Sequence, residues 1–110
     1  MRSLAPLLVL SAITGCSRSP AEGVSDGAAL FVQTCARCHG VDGRGEEQAR
    51  RELGVPNMAD VAWQAAHPDP LIKRTVHEGS RSKKMPPFGD VYSDAQLDAI
   101  IRHIRGLRRP

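Results

Sequence analysis

The chain has 110 residues, with 15 Lys and Arg against 12 Asp and Glu, and its aromatic content is one Trp, one Tyr and two Phe. This length allows one small domain, and a formal charge of +3 without a basic recognition helix argues against nucleic-acid binding. No stretch approaches the roughly 20 apolar residues of a membrane-spanning helix, and no internal repeat is present.

The first segment stands apart from the folded domain. Met1-Arg2-Ser3 is a short basic opening, and Leu4 to Ile13 is mostly apolar, with Pro6 and Ser11 as interruptions. A basic n-region ahead of a short apolar h-region predicts an export signal. It ends in "ITGC", Ile13 to Cys16, which resembles a bacterial lipoprotein processing site. That resemblance implies cleavage before Cys16, lipidation of Cys16, and a protein held to a membrane by several acyl chains, since one alone anchors only marginally. It also accounts for the odd cysteine among Cys16, Cys35 and Cys38. Ser17 to Ser25 is small and polar with a proline and a glycine, the composition of a flexible tether. The chain thus divides into a signal over 1–15, a lipidated tether over 16–25 and a folded domain over 26–110. A domain of roughly 85 residues buries a limited core, so with four aromatic rings something besides side chains is expected to fill its interior.

"SDGAALFVQTCARC" predicts a helix capped by Ser25 or Asp26, with Ala28, Phe31, Cys35 and Cys38 at three- and four-residue steps along one face. "GVDGRG" is a loop, Glu46 to Leu53 a short surface helix, and "GVPNM" its breaker. Asp60 caps a helix carrying Val61, Trp63 and Ala66. "HPDP" separates that helix from another over Leu71 to Glu78, which Gly79 stops. Ser80 to Asp90 is a loop with two prolines and three basic residues. Ser93 then caps a last helix over about 94–107, with an apolar stripe of Leu97, Ile100, Ile101, Ile104 and Leu107. Arginines 102, 105, 108 and 109 sit late in it, where cations suit the helix dipole. No segment reads as a strand, and the fold class is all-α.

The chemistry centres on "CARCH", Cys35 to His39. Structural zinc requires four ligands, commonly two Cys/His pairs, and His67, His77 and His103 form no matching second pair. A thioredoxin-like dithiol belongs in a βαβ setting. A Cys35–Cys38 disulfide suits an exported protein but leaves His39 and the sparse core unexplained. C-x-x-C-H is the attachment signature of c-type haem. Two thiols three residues apart on a helix can reach both vinyl groups of one porphyrin, and the adjacent His39 can ligate the iron. The cofactor expected is therefore one covalent haem c. For the second axial position the candidates are Met58, Met85, His67, His77, His103 or none. Met85 in "KKMPPFGD" is preferred, because Pro86 and Pro87 stiffen the backbone beside its sulfur. Met58 reads as a packing residue, and the histidines as surface or helix-face residues.

With these motifs in place the sequence resembles a class I cytochrome c over nearly the whole of the domain. "DGAALFVQTCARCHG" resembles that family's first helix and haem motif, with Gly27 and Phe31 where the terminal helices cross. "VPNM" is similar to the loop whose proline carbonyl accepts a hydrogen bond from the proximal histidine, which implies that Pro56 orients His39. "MPPFGD" looks like the distal methionine loop, and "SDAQLDAIIRHIRGL" like the last helix. The resemblance implies a small cytochrome c fold around one haem, His39/Met85 axial ligation, and an indole of Trp63 that packs the core and bonds a haem propionate. It also marks a departure: His103 falls where the family often has tyrosine. A ring packed between the terminal helices is preferred there over a pH-sensitive group near the haem edge.

The function expected is electron transfer rather than enzymatic catalysis, on the periplasmic side of a bacterial membrane through a lipid anchor. Arg81, Lys83 and Lys84 either rim the haem edge and attract an acidic redox partner or form a solvated loop. Two alternatives stand beside a free carrier. One is the electron-entry subunit of a larger oxidoreductase. The other is a ligand-binding haem sensor or enzyme with an open distal site, which a filled Met85 position opposes.

Overall fold

The computed structural model describes residues 26–110 together with Gly15. Of the expected signal segment only Gly15 is described, and the tether with Cys16 lies outside the described residues. Helix α1 begins where the Asp26 side chain accepts from the Ala28 N–H at 3.0 Å. It runs Gly27–Leu30 as α-helix, Phe31–Cys35 as a π turn and Ala36–His39 as α-helix again. Gly40, at φ 75°, ends it. Helices α2, Glu47–Leu53, α3, Val61–Ala66, and α4, Asp69–Glu78, follow, and α5, Asp94–Gly106, closes the domain. No strand is present among the described residues; one isolated parallel bridge joins Asp60 to Arg109.

Each start and stop has a local cause. Asp60 accepts from the Trp63 N–H at 3.1 Å and opens α3. Pro70 in the first turn of α4 needs no N–H partner there, which starts the helix at Asp69, ahead of the Leu71 expected from periodicity. Ser93 and Gln96 form a reciprocal capping box on α5, at 2.9 and 3.2 Å. Gly79, at φ 83°, ends α4 as expected.

The terminal helices cross at Gly27 and Phe31, as the resemblance implied: α1 packs on α5 at Gly27, beside Ala99, and Phe31 is fully buried among the core residues. Leu30, Phe31, Leu97 and Ile100 are the largest fully buried side chains. Ile101, Ile104, Ile72, Val76 and Tyr92 extend the core, so the apolar stripe of α5 and the inner face of α4 bury as their spacing predicts. Lys73 of α4 pairs with Asp98 of α5 at 2.9 Å and joins the same two helices at the surface.

The π turn departs from the expected regular helix. The Ala36 N–H reaches back five residues to the Phe31 carbonyl. The wide turn is tied from outside by a hydrogen bond between the Thr34 and Tyr92 hydroxyls. A contact between residues 58 apart in sequence leaves no mark on helical periodicity. A π turn of this kind commonly sits beside a functional site, and this one ends on Cys35 itself.

Candidate functional site

A cavity of about 940 Å³ opens in the interior, between α1, the 53–58 loop, α3, α4, the Met85 loop and α5. Protein interiors are packed to the density of organic crystals, so a void of this size in so small a domain is a place for a large guest. It is at the upper end of cofactor and ligand pockets. Cys35, Cys38, His39, Pro56, Trp63 and Met85 all line it. These six residues come from four separate stretches of chain and are gathered on one cavity.

Both thiols are free and half-buried. Burial pushes the Cys35 thiol up to about 11, so it stays protonated and apolar at neutral pH. Burial also lowers the His39 imidazole from its ordinary value and favours the neutral ring, the form that ligates a metal. Among the described residues no group of three or more His, Cys, Asp and Glu side chains could hold a bare metal ion. An apolar cavity, two free thiols, an adjacent neutral imidazole and a thioether together fit a haem and do not fit structural zinc.

The hydrogen bond expected from His39 Nδ1 to the Pro56 carbonyl is not formed; Nδ1 is buried without a partner. The Pro56 loop is held elsewhere. The Met58 N–H donates to the Gly43 carbonyl at 2.8 Å, and the Asn57 side chain accepts from the Ala59 N–H at 3.1 Å. These contacts put Pro56 on the cavity wall without bringing its carbonyl to the ring.

Trp63 is half-buried and stacks on His67, with centroids 4.3 Å apart and planes 17° apart. His67 Nδ1 lies 2.7 Å from the Trp63 carbonyl, which accepts a hydrogen bond from it. The i, i+4 spacing of the two residues was a signal for this pair. Of the distal candidates, Met85, Met58 and His67 line the cavity, while His77 and His103 do not. The His77 ring packs on Gly89. His103 lies against Phe31, with ring centroids 5.0 Å apart and a buried Nε2 that has no partner, which is the packing role preferred for it. Met58 is buried in the core, the packing role expected of it.

Two residues that shape this wall escaped the sequence reading. Gln64 is buried, and its side-chain amide donates to the Met58 and Ile104 carbonyls, each at 2.9 Å. Arg105 of α5 donates to the Gln64 carbonyl at 2.8 Å and the His67 carbonyl at 2.5 Å, and pairs with Asp69 at 2.7 Å. Its charge therefore serves the C-terminus of α3, whereas sequence position assigned it to its own helix.

Crossed terminal helices around a cavity that carries a C-x-x-C-H donor set define a c-type cytochrome. Residues 22–104 match the model of the family described as cytochrome c oxidase, cbb3-type, subunit III. The cbb3-type cytochrome c oxidase subunit CcoP of Cereibacter sphaeroides is 30% identical over 83 residues, covering 76% of this chain and 27% of the relative. Subunit FixPc of Rhizobium leguminosarum bv. viciae is 34% identical over 101 residues, covering 90% of this chain and 33% of the relative. The solved structure of the KustC0563 c-type cytochrome is 33% identical and superposes with a TM-score of 0.71, covering 76% of this chain and 99% of that one. The chain belongs to the cbb3-type subunit III family of cytochrome c domains, and it has the small cytochrome c fold. It is an electron-transfer cytochrome, and its cofactor is covalently bound haem c. It spans a third or less of the length of these two curated relatives. No helix among the described residues is long and apolar enough to cross a membrane.

Proposed function

We propose that Cys35 and Cys38 hold the haem by thioethers, that His39 and Met85 are its axial ligands, and that the domain passes single electrons between protein partners. The observation that carries this reading is the convergence of all four side chains on one cavity. Bound iron supplies a one-electron couple. The chain supplies a soft thioether and a neutral imidazole, a ligand pair that favours the reduced state and raises the potential. Apolar walls such as Phe31, Ile100 and Ile104 exclude water and disfavour added charge. Trp63 also lines the cavity, and its indole N–H would serve as a donor to a haem propionate. Denaturing mass spectrometry should find one haem on the peptide containing Cys35 and Cys38. Extraction of all colour by acidified acetone would overturn the assignment.

For the rest of the chain the reading is an export signal over 1–15, a tether over 16–25 lipidated at Cys16, and the cytochrome domain over 26–110, held on the periplasmic side of a bacterial membrane. Exposed Arg81, Lys83 and Lys84 flank Met85, and Lys84 also lines the cavity. They suit an acidic docking face on a redox partner, with a salt-dependent association rate. A second reading, the electron-entry subunit of a larger oxidoreductase, is favoured by relatives that are named as subunits of an oxidase. Co-purification of the native chain with a catalytic subunit separates it from a free carrier.

A further inference from the structure

The loop that carries Met85 is closed on itself by one residue. The Ser80 N–H donates to the Met85 carbonyl at 3.0 Å, and Ser80 Oγ accepts from the Met85 N–H, also at 3.0 Å. Both backbone polar groups of the methionine are thereby taken by a single serine five residues earlier. The Ser80 carbonyl also accepts from the Lys83 N–H at 3.0 Å, at the turn where Lys83 adopts φ 62°. Because Ser80 Oγ accepts from Met85, its own proton is free for Ser82 Oγ at 3.1 Å, and Ser82 Oγ also accepts from the Lys84 N–H at 3.4 Å. The hydrogen-bond directions are mutually consistent along the whole loop. Gly79 lets the loop lie against the end of α4: a Cβ there would stand 2.8 Å from the Met85 carbonyl oxygen and 3.1 Å from the Pro87 nitrogen. Beyond the methionine, the Phe88 N–H donates to Val76 at 2.9 Å and the Gly89 N–H to His77 at 3.0 Å, fixing the other end of the loop to the same helix.

We infer that Ser80 is the positioning residue for the axial methionine: its N–H and hydroxyl clamp the Met85 backbone and set how readily the thioether leaves the iron. This rests on the reading of Met85 as a ligand. Pro86 and Pro87 cannot do this work, since they carry no N–H and restrain only the chain that follows the sulfur. The Ser80 side chain holds the Met85 N–H directly, and a half-buried amide left without an acceptor favours conformations that turn outward to water.

The test compares the haem-loaded parent with Ser80→Ala, Ser80→Thr and Ser82→Ala, using imidazole as a competing ligand. The readouts are the weak red sulfur-to-iron charge-transfer band, the imidazole affinity and the reduction potential. Ser80→Ala should bind imidazole roughly five- to tenfold more tightly, the worth of one neutral hydrogen bond. It should retain its band without imidazole and have a lower potential. Ser80→Thr, which keeps the hydroxyl, should return toward the parent value, and Ser82→Ala should fall between. An imidazole affinity for Ser80→Ala within twofold of the parent, with the band intact in both, overturns the role of Ser80 and leaves the Met85 reading standing. A parent that lacks the band overturns both. Thermal midpoints of the loaded variants separate a loosened ligand from a loosened fold: a fall in midpoint for Ser80→Ala with unchanged imidazole affinity would mark the serine as merely structural.

Discussion

Gly27 of α1 lies so close to Ala99 of α5 that a Cβ at position 27 would stand 2.0 Å from the Ala99 carbonyl oxygen. That contact is backbone on backbone, so no side-chain rotation can relieve it. Gly27→Ala should therefore force the terminal helices apart and cost about 1–3 kcal/mol or more. For a domain of this size each kcal/mol lowers the thermal midpoint by about 4–8 °C. A midpoint for Gly27→Ala within 2 °C of the parent, about half a kcal/mol on the same scale, would show that the helices do not meet as described.

Met85 and Met58 share the cavity, which makes them a matched pair of controls. Met85→Ala should abolish the red charge-transfer band, lower the reduction potential and allow carbon monoxide or cyanide to bind readily. Met58→Ala should leave the band and the ligand exclusion intact while costing about 2–5 kcal/mol of stability, since Met58 is buried in the core. If Met85→Ala leaves the spectrum and potential unchanged, the electron-carrier site loses its distal ligand and the ligand-binding alternative moves ahead.

Arg105 supplies three charge-assisted contacts to the turn between α3 and α4. Hydrogen bonds from charged groups are worth about 1.5–3 kcal/mol each when buried. The Asp69 contact is exposed and contributes least. Arg105→Gln should lower the thermal midpoint and change the fluorescence of Trp63, the only tryptophan. Arg105→Lys should not restore either, because an ammonium cannot reproduce the planar fork that spans two carbonyls. Full recovery with lysine would reduce the role of Arg105 to its charge.

Cys16→Ser tests the tether. The substitution should move the protein out of the membrane fraction or leave its precursor unprocessed. An unchanged membrane distribution, together with an unchanged mature amino terminus, would remove lipidation from the proposal.

Much of this protein was decided by local sequence. The caps Asp26, Asp60 and Ser93, the stops at Gly40 and Gly79 and the stripe of α5 act through neighbours a few residues away, so helix order and the all-α class are readable from them. The attachment motif is local for the same reason: Cys35, Cys38 and His39 lie within five residues, and one helix turn brings them together. Tertiary structure decided what depends on distant partners. The π turn that ends at Cys35 is held by Tyr92, 58 residues on from Thr34, and the end of α3 by Arg105, 38 and 41 residues on from the carbonyls it binds. His39 and Pro56 mark the same boundary from the other side. Their motifs suggested a hydrogen bond, but the loop around Pro56 answers to Gly43 and to Asn57, and the ring nitrogen stays unpaired. A hydrogen bond forms only where two backbones are carried to within about 3 Å of each other. Periodicity and capping specify each element's own conformation, and where two elements meet is set by how their faces pack.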